Sequence, residues 1–131
     1  MALGYVMIGT DDVPRARALY DAIMPAIGGR VYGEYLPHAV CYEMHGGSML
    51  WLTNPYNGEA ASVGNGAMVG LMCASEEGVQ TAHALGLNAG GTNEGDPGPR
   101  PQYGPDFYGA YLRDLDGNKL SFVHISPPET G

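Results

Sequence analysis

The sequence GAYLRDLDGNKLSFV at positions 109–123 decides the fold. β-forming residues such as Tyr111 and Leu120 alternate with polar residues on both sides of the dipeptide Asp116-Gly117. An Asp-Gly pair between two such runs supplies the left-handed conformations that a tight hairpin needs. We therefore predict two antiparallel strands joined by a turn at these two residues.

The first part of the chain has the signals of one strand, one helix and three more strands. Residues 5–10 predict the first strand, and Asp11 and Asp12 are candidate N-caps of a helix that runs to about Ile27. Three short strands then fit residues 30–36, 38–44 and 48–53. This βαβββ order makes residues 1–53 a first module.

The same order of signals returns after a linker. Residues 54–66 are turn-forming almost throughout and predict that linker. Residues 67–74 then predict a strand, Ser75 an N-cap, and the helix that follows ends at Gly90-Gly91. The second half is therefore interpreted as a copy of the first.

The second copy contains an insertion. Residues 91–106 are rich in glycine and proline and are interpreted as an enlarged loop before the hairpin. One repeated unit then explains the whole chain as a single domain, with a second module at residues 67–126 and a tail at 127–131. The alternative is two unrelated α+β segments of similar shape.

Composition limits the classes of function. The 131 residues are 44% hydrophobic, which is enough to form a core. Six basic residues against 14 acidic ones give a net charge of −8, which argues against a nucleic-acid partner. No membrane span or signal peptide is visible, so we expect a cytoplasmic protein. Cys41 and Cys73 lie in apolar strand-like runs and are expected to be buried free thiols.

Three segments together resemble a known superfamily. They are YVMIGTDDV at residues 5–13, GPRPQYGP at 98–105 and YLRDLDGNK at 111–119. They resemble the vicinal oxygen chelate superfamily, which includes glyoxalase I, bleomycin-resistance proteins and extradiol dioxygenases. The resemblance covers nearly the whole chain. It implies an α+β fold of two tandem βαβββ modules, whose curved mixed sheets form a cup for a metal and a small ligand. It also implies a homodimer.

Metal-dependent members of this superfamily bind the metal through four positions, usually His or Gln in the first strand of each module and Glu in the last. The resemblance places these positions at Tyr5, Trp51, Met68 and Ser121. Indole has no lone pair to donate, a thioether is a soft and weak donor, and neutral hydroxyls are poor ligands for divalent metals. The resemblance therefore implies that this chain lacks the usual metal site and has no cofactor.

A metal site built from other residues is the alternative. The candidate ligands elsewhere in the chain are His38, Glu43, His45, His83, Asp114 and His124. No short His-x-His or His-x₃-Glu spacing occurs among them, and His83 is interpreted as a structural histidine.

Without a metal, the cup is predicted to be an apolar and aromatic pocket. The resemblance puts Tyr5, Trp51, Met68 and Ser121 on its inner surface, a composition suited to a small aromatic or apolar ligand. Plain core packing is the alternative for each of these side chains.

The long loop adds further ligand-binding candidates. Arg100, Tyr103 and Tyr108 are expected to cover the open side of the cup. Arg100 would pair with a carboxylate or phosphate on the ligand, or else would hold the loop to Glu94 or Asp96.

Two functions follow from these observations. The first is a metal-independent protein that binds a small molecule, of the drug-sequestering or ligand-carrying kind. The alternative is a glyoxalase-like lyase or isomerase, or a dioxygenase-like enzyme, with a non-standard metal set or metal-free acid–base chemistry. Its candidate proton-transfer groups are Tyr5, His38 and Tyr103. A dimerising fold without a ligand is a third hypothesis. The linker allows the modules to pair within one chain or to swap between two chains.

Overall fold

The computed structural model describes residues 2–125 and contains two βαβββ units in tandem. The first consists of β1 (Tyr5–Gly9), α1 (Val13–Ile27), β2 (Arg30–Tyr35), β3 (Ala39–Glu43) and β4 (Met49–Thr53). The second consists of β5 (Val69–Met72), α2 (Glu76–Asn88), β6 (Thr92–Pro99), β7 (Phe107–Arg113) and β8 (Lys119–Ile125). The predicted α+β class and the tandem βαβββ order are confirmed. The predicted tail at 127–131 lies outside the described residues.

Each module has its own four-stranded mixed sheet. The strand orders are β1-β4-β3-β2 and β5-β8-β7-β6, so the two sheets have the same topology. In each sheet the first and last strands of the module pair in parallel and the other neighbours are antiparallel. Over residues 2–125 no strand pairing joins β1 to β5, so the cup is open along the line between these two edge strands.

Both helices begin at the predicted caps. The Asp12 carboxylate accepts a hydrogen bond from the Arg15 N–H at 3.1 Å, and the Ser75 hydroxyl accepts one from the Gly78 N–H at 3.0 Å. These contacts satisfy backbone donors that the first helical turn leaves free. In the described part of the chain, neither helix is long and apolar enough to cross a membrane.

The core lies between the helices and one face of each sheet. Leu50 and Leu52 of β4 and Leu120 and Phe122 of β8 are fully buried in it. Because side chains alternate across a strand, Trp51, between the two β4 leucines, lies on the opposite face. The helices cover only one side of each sheet, and the other side is available for a site.

The decisive hairpin is present, but its turn is longer than predicted. Asp114 and Asn118 close the turn through a backbone hydrogen bond of 2.8 Å, and only Gly117 takes a left-handed conformation, with φ of 92°. The prediction that Asp116 is also left-handed was wrong. A three-residue loop needs one left-handed residue, at its last position, to match the twist of the flanking strands.

Most of the predicted enlarged loop is a strand. Residues 92–99 form β6, which pairs with β7 through an irregular register. The prediction of a loop over 91–106 was therefore wrong except for its last part, residues 100–106. Glycine and proline are tolerated in β6 because it is an edge strand, with no partner on its outer side.

A buried polar network, here called the inter-module clasp, joins the two modules. It consists of Tyr20, Asp114, Asn118 and the backbone of Gly9. The Tyr20 hydroxyl donates to the Asp114 carboxylate, and the Asn118 amide donates to the same carboxylate at 3.0 Å and to the Gly9 carbonyl at 3.1 Å. Burial, together with the charge of Asp114, raises the pKa of Tyr20, so its hydroxyl stays a donor. The clasp ties α1 and β1 to the turn between β7 and β8.

Candidate functional site

A cleft of about 850 Å³ lies where the edge strands β1 and β5 face each other. We call it the inter-module cleft. Its other walls come from the end of α1 and the turn between β3 and β4. It is lined by Leu3, Tyr5, Val6, Pro25–Gly28, Met44, His45, Ser48–Leu50 and Met68–Ala74. This volume is within the range of small-molecule pockets.

Large apolar side chains on the walls of the cleft are open to solvent. Tyr5 of β1 is 63% exposed, Met68 is 48% exposed and Met72 of β5 is 56% exposed. Clustered exposed apolar groups of this size are typical of binding surfaces. Methionine side chains are flexible and polarisable, so they adapt to ligands of different shape.

Within residues 2–125, no Asp, Glu, Lys or Arg side chain lines the cleft. Its polar side chains are the hydroxyls of Tyr5 and Ser48, the imidazole of His45 and the thiol of Cys73. Burial raises the pKa of Cys73 to about 11, so this thiol is protonated at neutral pH and is not a nucleophile. Both cysteines are free and buried, as predicted.

Main-chain groups provide further hydrogen-bonding partners. β1 pairs only with β4, and β5 pairs only with β8, so each has one edge without a strand partner. The last turn of α1 also lines the cleft. The carbonyl groups of a final helical turn have no intrahelical donors and carry partial negative charge.

The structure brings two of the four predicted cup residues into the cleft. Tyr5 and Met68 line it, whereas Trp51 and Ser121 lie on the helix-free faces of their sheets without forming its wall. The Trp51 ring stacks on Tyr35, with a centroid distance of 5.7 Å. Ser121 is only 3% exposed and lies opposite Tyr111 in the β7–β8 ladder.

The predicted aromatic residues of the long loop lie elsewhere. Tyr103 is exposed and packs edge-to-face on Phe107, with a centroid distance of 5.4 Å. Tyr108 packs against the core on the helix-covered side of its sheet, where its hydroxyl accepts a hydrogen bond from Gln80 at 2.8 Å. Neither residue lines the cleft.

Arg100 is engaged with its own loop. Its guanidinium donates to the carbonyl oxygens of Gly98 at 2.9 Å and Asp96 at 2.7 Å, and it lies 5.5 Å from the centroid of the Tyr111 ring. The sequence left open whether Arg100 binds a ligand or holds the loop to an acidic neighbour. In the structure it contacts carbonyl oxygens rather than carboxylates. Glu94 pairs instead with Arg113, which lowers the pKa of Glu94.

We expect Arg100→Ala to weaken the fold and to leave the cleft intact. Loss of the carbonyl contacts and the ring contact should lower the free energy of unfolding by about 1–2 kcal/mol. Urea unfolding would measure this, and titration with the uncharged apolar dye Nile red would show unchanged affinity. Arg30→Ala is the matched control, because it removes a surface ion pair with Glu43 that should contribute little. Loss of dye binding with full stability would instead assign Arg100 to the ligand site.

The candidate metal ligands are dispersed over the molecule. Five of the six contact a different partner each: His38 contacts Asn54, Glu43 contacts Arg30, His83 contacts Asn93, Asp114 contacts Tyr20, and His124 contacts the Cys73 carbonyl. The sixth, His45, lies in the exposed β3–β4 turn. Across residues 2–125 no three His, Cys, Asp or Glu side chains form a group that could hold a metal ion. The four positions that the resemblance assigns to metal ligands, Tyr5, Trp51, Met68 and Ser121, offer no imidazole or carboxylate, and this donor set does not fit a divalent metal.

Sequence reasoning missed several residues of the cleft. Met72 and Gly70 follow Met68 at a spacing of two along one strand, and this alternation was a usable signal. His45 and the last turn of α1 reach the cleft only through tertiary packing. No local pattern could have identified them.

Comparison with known proteins identifies relatives among solved structures. A scan against protein-family models finds no match, and a search of curated proteins finds none either. The chain is 34% identical to a glyoxalase/bleomycin resistance protein from Albidiferax ferrireducens T118. The match covers 96% of this chain and 100% of that one, with a TM-score of 0.83.

More distant structures share the fold. A glyoxalase/bleomycin resistance protein/dioxygenase family enzyme from Burkholderia phytofirmans PsJN is 18% identical, with 96% of this chain and 100% of that chain covered and a TM-score of 0.73. A lactoylglutathione lyase from Agrobacterium tumefaciens is 17% identical, with 94% and 92% covered and a TM-score of 0.68.

Proposed function

The chain belongs to the glyoxalase/bleomycin resistance protein family of the vicinal oxygen chelate superfamily, and from this premise we propose that it binds a small apolar or aromatic molecule in the inter-module cleft without the family's usual metal site. The observation that supports this proposal best is a cleft of about 850 Å³ with exposed apolar walls and no charged side chain.

The composition of the cleft suits binding by burial. A planar aromatic ligand that loses about 200 Å² of apolar surface to the cleft gains roughly 5 kcal/mol, before the cost of immobilising it is subtracted. The hydroxyl of Tyr5 and the free edges of β1 and β5 can orient such a ligand through hydrogen bonds. Few polar groups on a mostly apolar wall are typical of a binding pocket.

The donor set supports binding without a metal. The resemblance assigns the superfamily's ligand positions to Tyr5, Trp51, Met68 and Ser121, and of these four Tyr5 and Met68 line the cleft. A phenol and a thioether are weak partners for a divalent metal at neutral pH. The protein therefore has to hold its ligand through contacts of its own side chains and backbone.

We favour binding without turnover over the enzymatic alternative. Of the three proton-transfer groups predicted from the sequence, Tyr5 lines the cleft, and His38 and Tyr103 do not. The imidazole of His45, in the exposed β3–β4 turn, also lines the cleft and is the group that the enzymatic alternative would use. A proton-transfer group must lie within hydrogen-bond reach of the reacting atom. The protonated thiol of Cys73 does not replace them as a nucleophile.

We also propose that the protein acts in the cytoplasm and as a homodimer. Two buried free thiols are compatible with a reducing compartment. Apolar side chains that are exposed around β2, at Tyr32, Tyr35 and Leu36, provide a surface that a second copy can cover.

Native mass spectrometry of the purified protein, combined with metal analysis, tests the proposal. We expect a non-covalent small-molecule adduct, the mass of a dimer, and no stoichiometric divalent metal. Nile red should bind with the same affinity before and after treatment with chelator. Stoichiometric metal whose removal abolishes binding would contradict the proposal. Turnover of hemithioacetals, epoxides or catechols would support the enzymatic alternative instead.

A further inference from the structure

We propose that the inter-module cleft selects its ligand by charge, so that it accepts apolar molecules that are uncharged or carry a protonated amine and rejects anionic ones. This inference rests on the proposed function, because it specifies the class of ligand that the same cleft binds. It follows from where the chain's charged groups lie.

Every Lys and Arg side chain of the protein is engaged outside the cleft. The chain has six Lys and Arg residues, and none lines the cleft. Their partners are Leu115 and Asp116 for Arg15, Asp21 and Glu34 for Arg17, Glu43 for Arg30, loop carbonyls for Arg100, Glu94 and Gly117 for Arg113, and the Tyr111 ring for Lys119. No Lys or Arg side chain is therefore in place to pair with a carboxylate or phosphate in the cleft.

An anion would therefore lose water without gaining a counter-charge. Transfer of a carboxylate into an apolar site is strongly unfavourable unless it is paired. The net charge of −8 adds repulsion at low ionic strength.

A protonated amine, unlike an anion, finds groups in the cleft that can compensate for its lost hydration. The last turn of α1 contains no Lys or Arg, and the side chain beside its end is that of His45, so no permanent positive charge competes for its carbonyl groups. The exposed ring of Tyr5 on the same cleft can accept a cation over its face. These groups compensate for part of the hydration that an ammonium group loses.

Three ligands with one ring system and different charges test the inference. They are 1-naphthalenemethanol, 1-naphthalenemethylamine and 1-naphthoic acid, titrated by calorimetry at pH 7 in low and high salt. We expect the acid to bind at least about tenfold more weakly than the alcohol in both salts, and the amine to bind at least as tightly as the alcohol.

Two variants that each add one positive charge distinguish an effect of charge in the cleft from an effect of the protein's overall charge. Met72→Lys places an ammonium group in the cleft and should improve binding of the acid about tenfold while weakening the amine. Gln102→Lys adds the same charge at an exposed position outside the cleft and should leave the order unchanged. Equal binding of acid and alcohol to the unmodified protein would overturn the inference and leave the proposed function standing. Failure of all three ligands and of Nile red to bind would overturn both.

Discussion

Gly70→Phe is expected to abolish ligand binding in the inter-module cleft and to leave the fold intact. Gly70 lies between Met68 and Met72 on the wall that β5 contributes. A Cβ built at this position meets no atom within 4 Å, so a side chain here extends into the cleft instead of into the protein. Because an aromatic residue suits a strand, the substitution should not destabilise β5.

The size of the effect follows from the space that the ring occupies. A phenyl group in the cleft takes the place of the ligand itself, and we expect the dissociation constant for Nile red to rise at least about 100-fold. Gly70→Ala should give a much smaller change because a methyl group fills little of the cleft. Gln102→Phe adds the same ring at an exposed position away from the cleft and serves as the control. Full affinity in a correctly folded Gly70→Phe variant would show that the ligand binds elsewhere.

Asp114→Ala is expected to produce the largest loss of stability. The Asp114 carboxylate is buried and accepts hydrogen bonds from the Tyr20 hydroxyl, from the Asn118 amide and backbone, and from the Asp116 backbone. Its removal leaves all of these donors without their acceptor. Because an unsatisfied buried donor costs more than a hydrogen bond contributes, we expect the free energy of unfolding to fall by about 3–5 kcal/mol.

Comparison with Tyr20→Phe shows whether the carboxylate is the centre of the clasp. That variant removes one donor and leaves Asp114 three others, so it should cost only about 1 kcal/mol. Asp106→Ala, at an exposed turn position, is the control for loss of a carboxylate. Urea unfolding of the three variants measures the free energies. A loss for Asp114→Ala no greater than that of the Asp106→Ala control would contradict the role assigned to the clasp.

The inter-module clasp also connects the stability of the fold to the inter-module cleft. Tyr20 and Asp114 are 94 positions apart, and their contact holds α1 of the first module to the hairpin of the second. Asn118 extends this contact to the end of β1. The clasp therefore joins the two modules whose edge strands line the cleft, and we expect Asp114→Ala to weaken Nile red binding even at concentrations of denaturant where the protein is still folded.

Local sequence patterns predicted where the helices begin, but they did not predict every strand. The caps at Asp12 and Ser75 were predictable because a capping side chain and its N–H are three residues apart. The strand at residues 92–99 was not, because glycine and proline are tolerated there only through the position of β6 at the edge of the sheet. A residue's distance from the edge of a sheet is not present in the local sequence.

At the candidate site, Trp51 and Met72 show the same difference between what the sequence predicts and what tertiary packing decides. The resemblance predicted Trp51 on the inner surface of the cup, but only the structure shows that its ring packs on Tyr35 instead of lining the cleft. Met72 could have been predicted from Met68 by alternation along the predicted strand, but its place in the site depends on the opening between β1 and β5.

The sequence by itself determined that this chain consists of two βαβββ modules, because the caps, turns and alternating strands of each module depend on residue type and short spacing. The tertiary structure decided which residues form the cleft and that no charged side chain lies on it. Those properties depend on how α1, α2 and the inter-module clasp position the two sheets, through contacts between residues far apart in the chain.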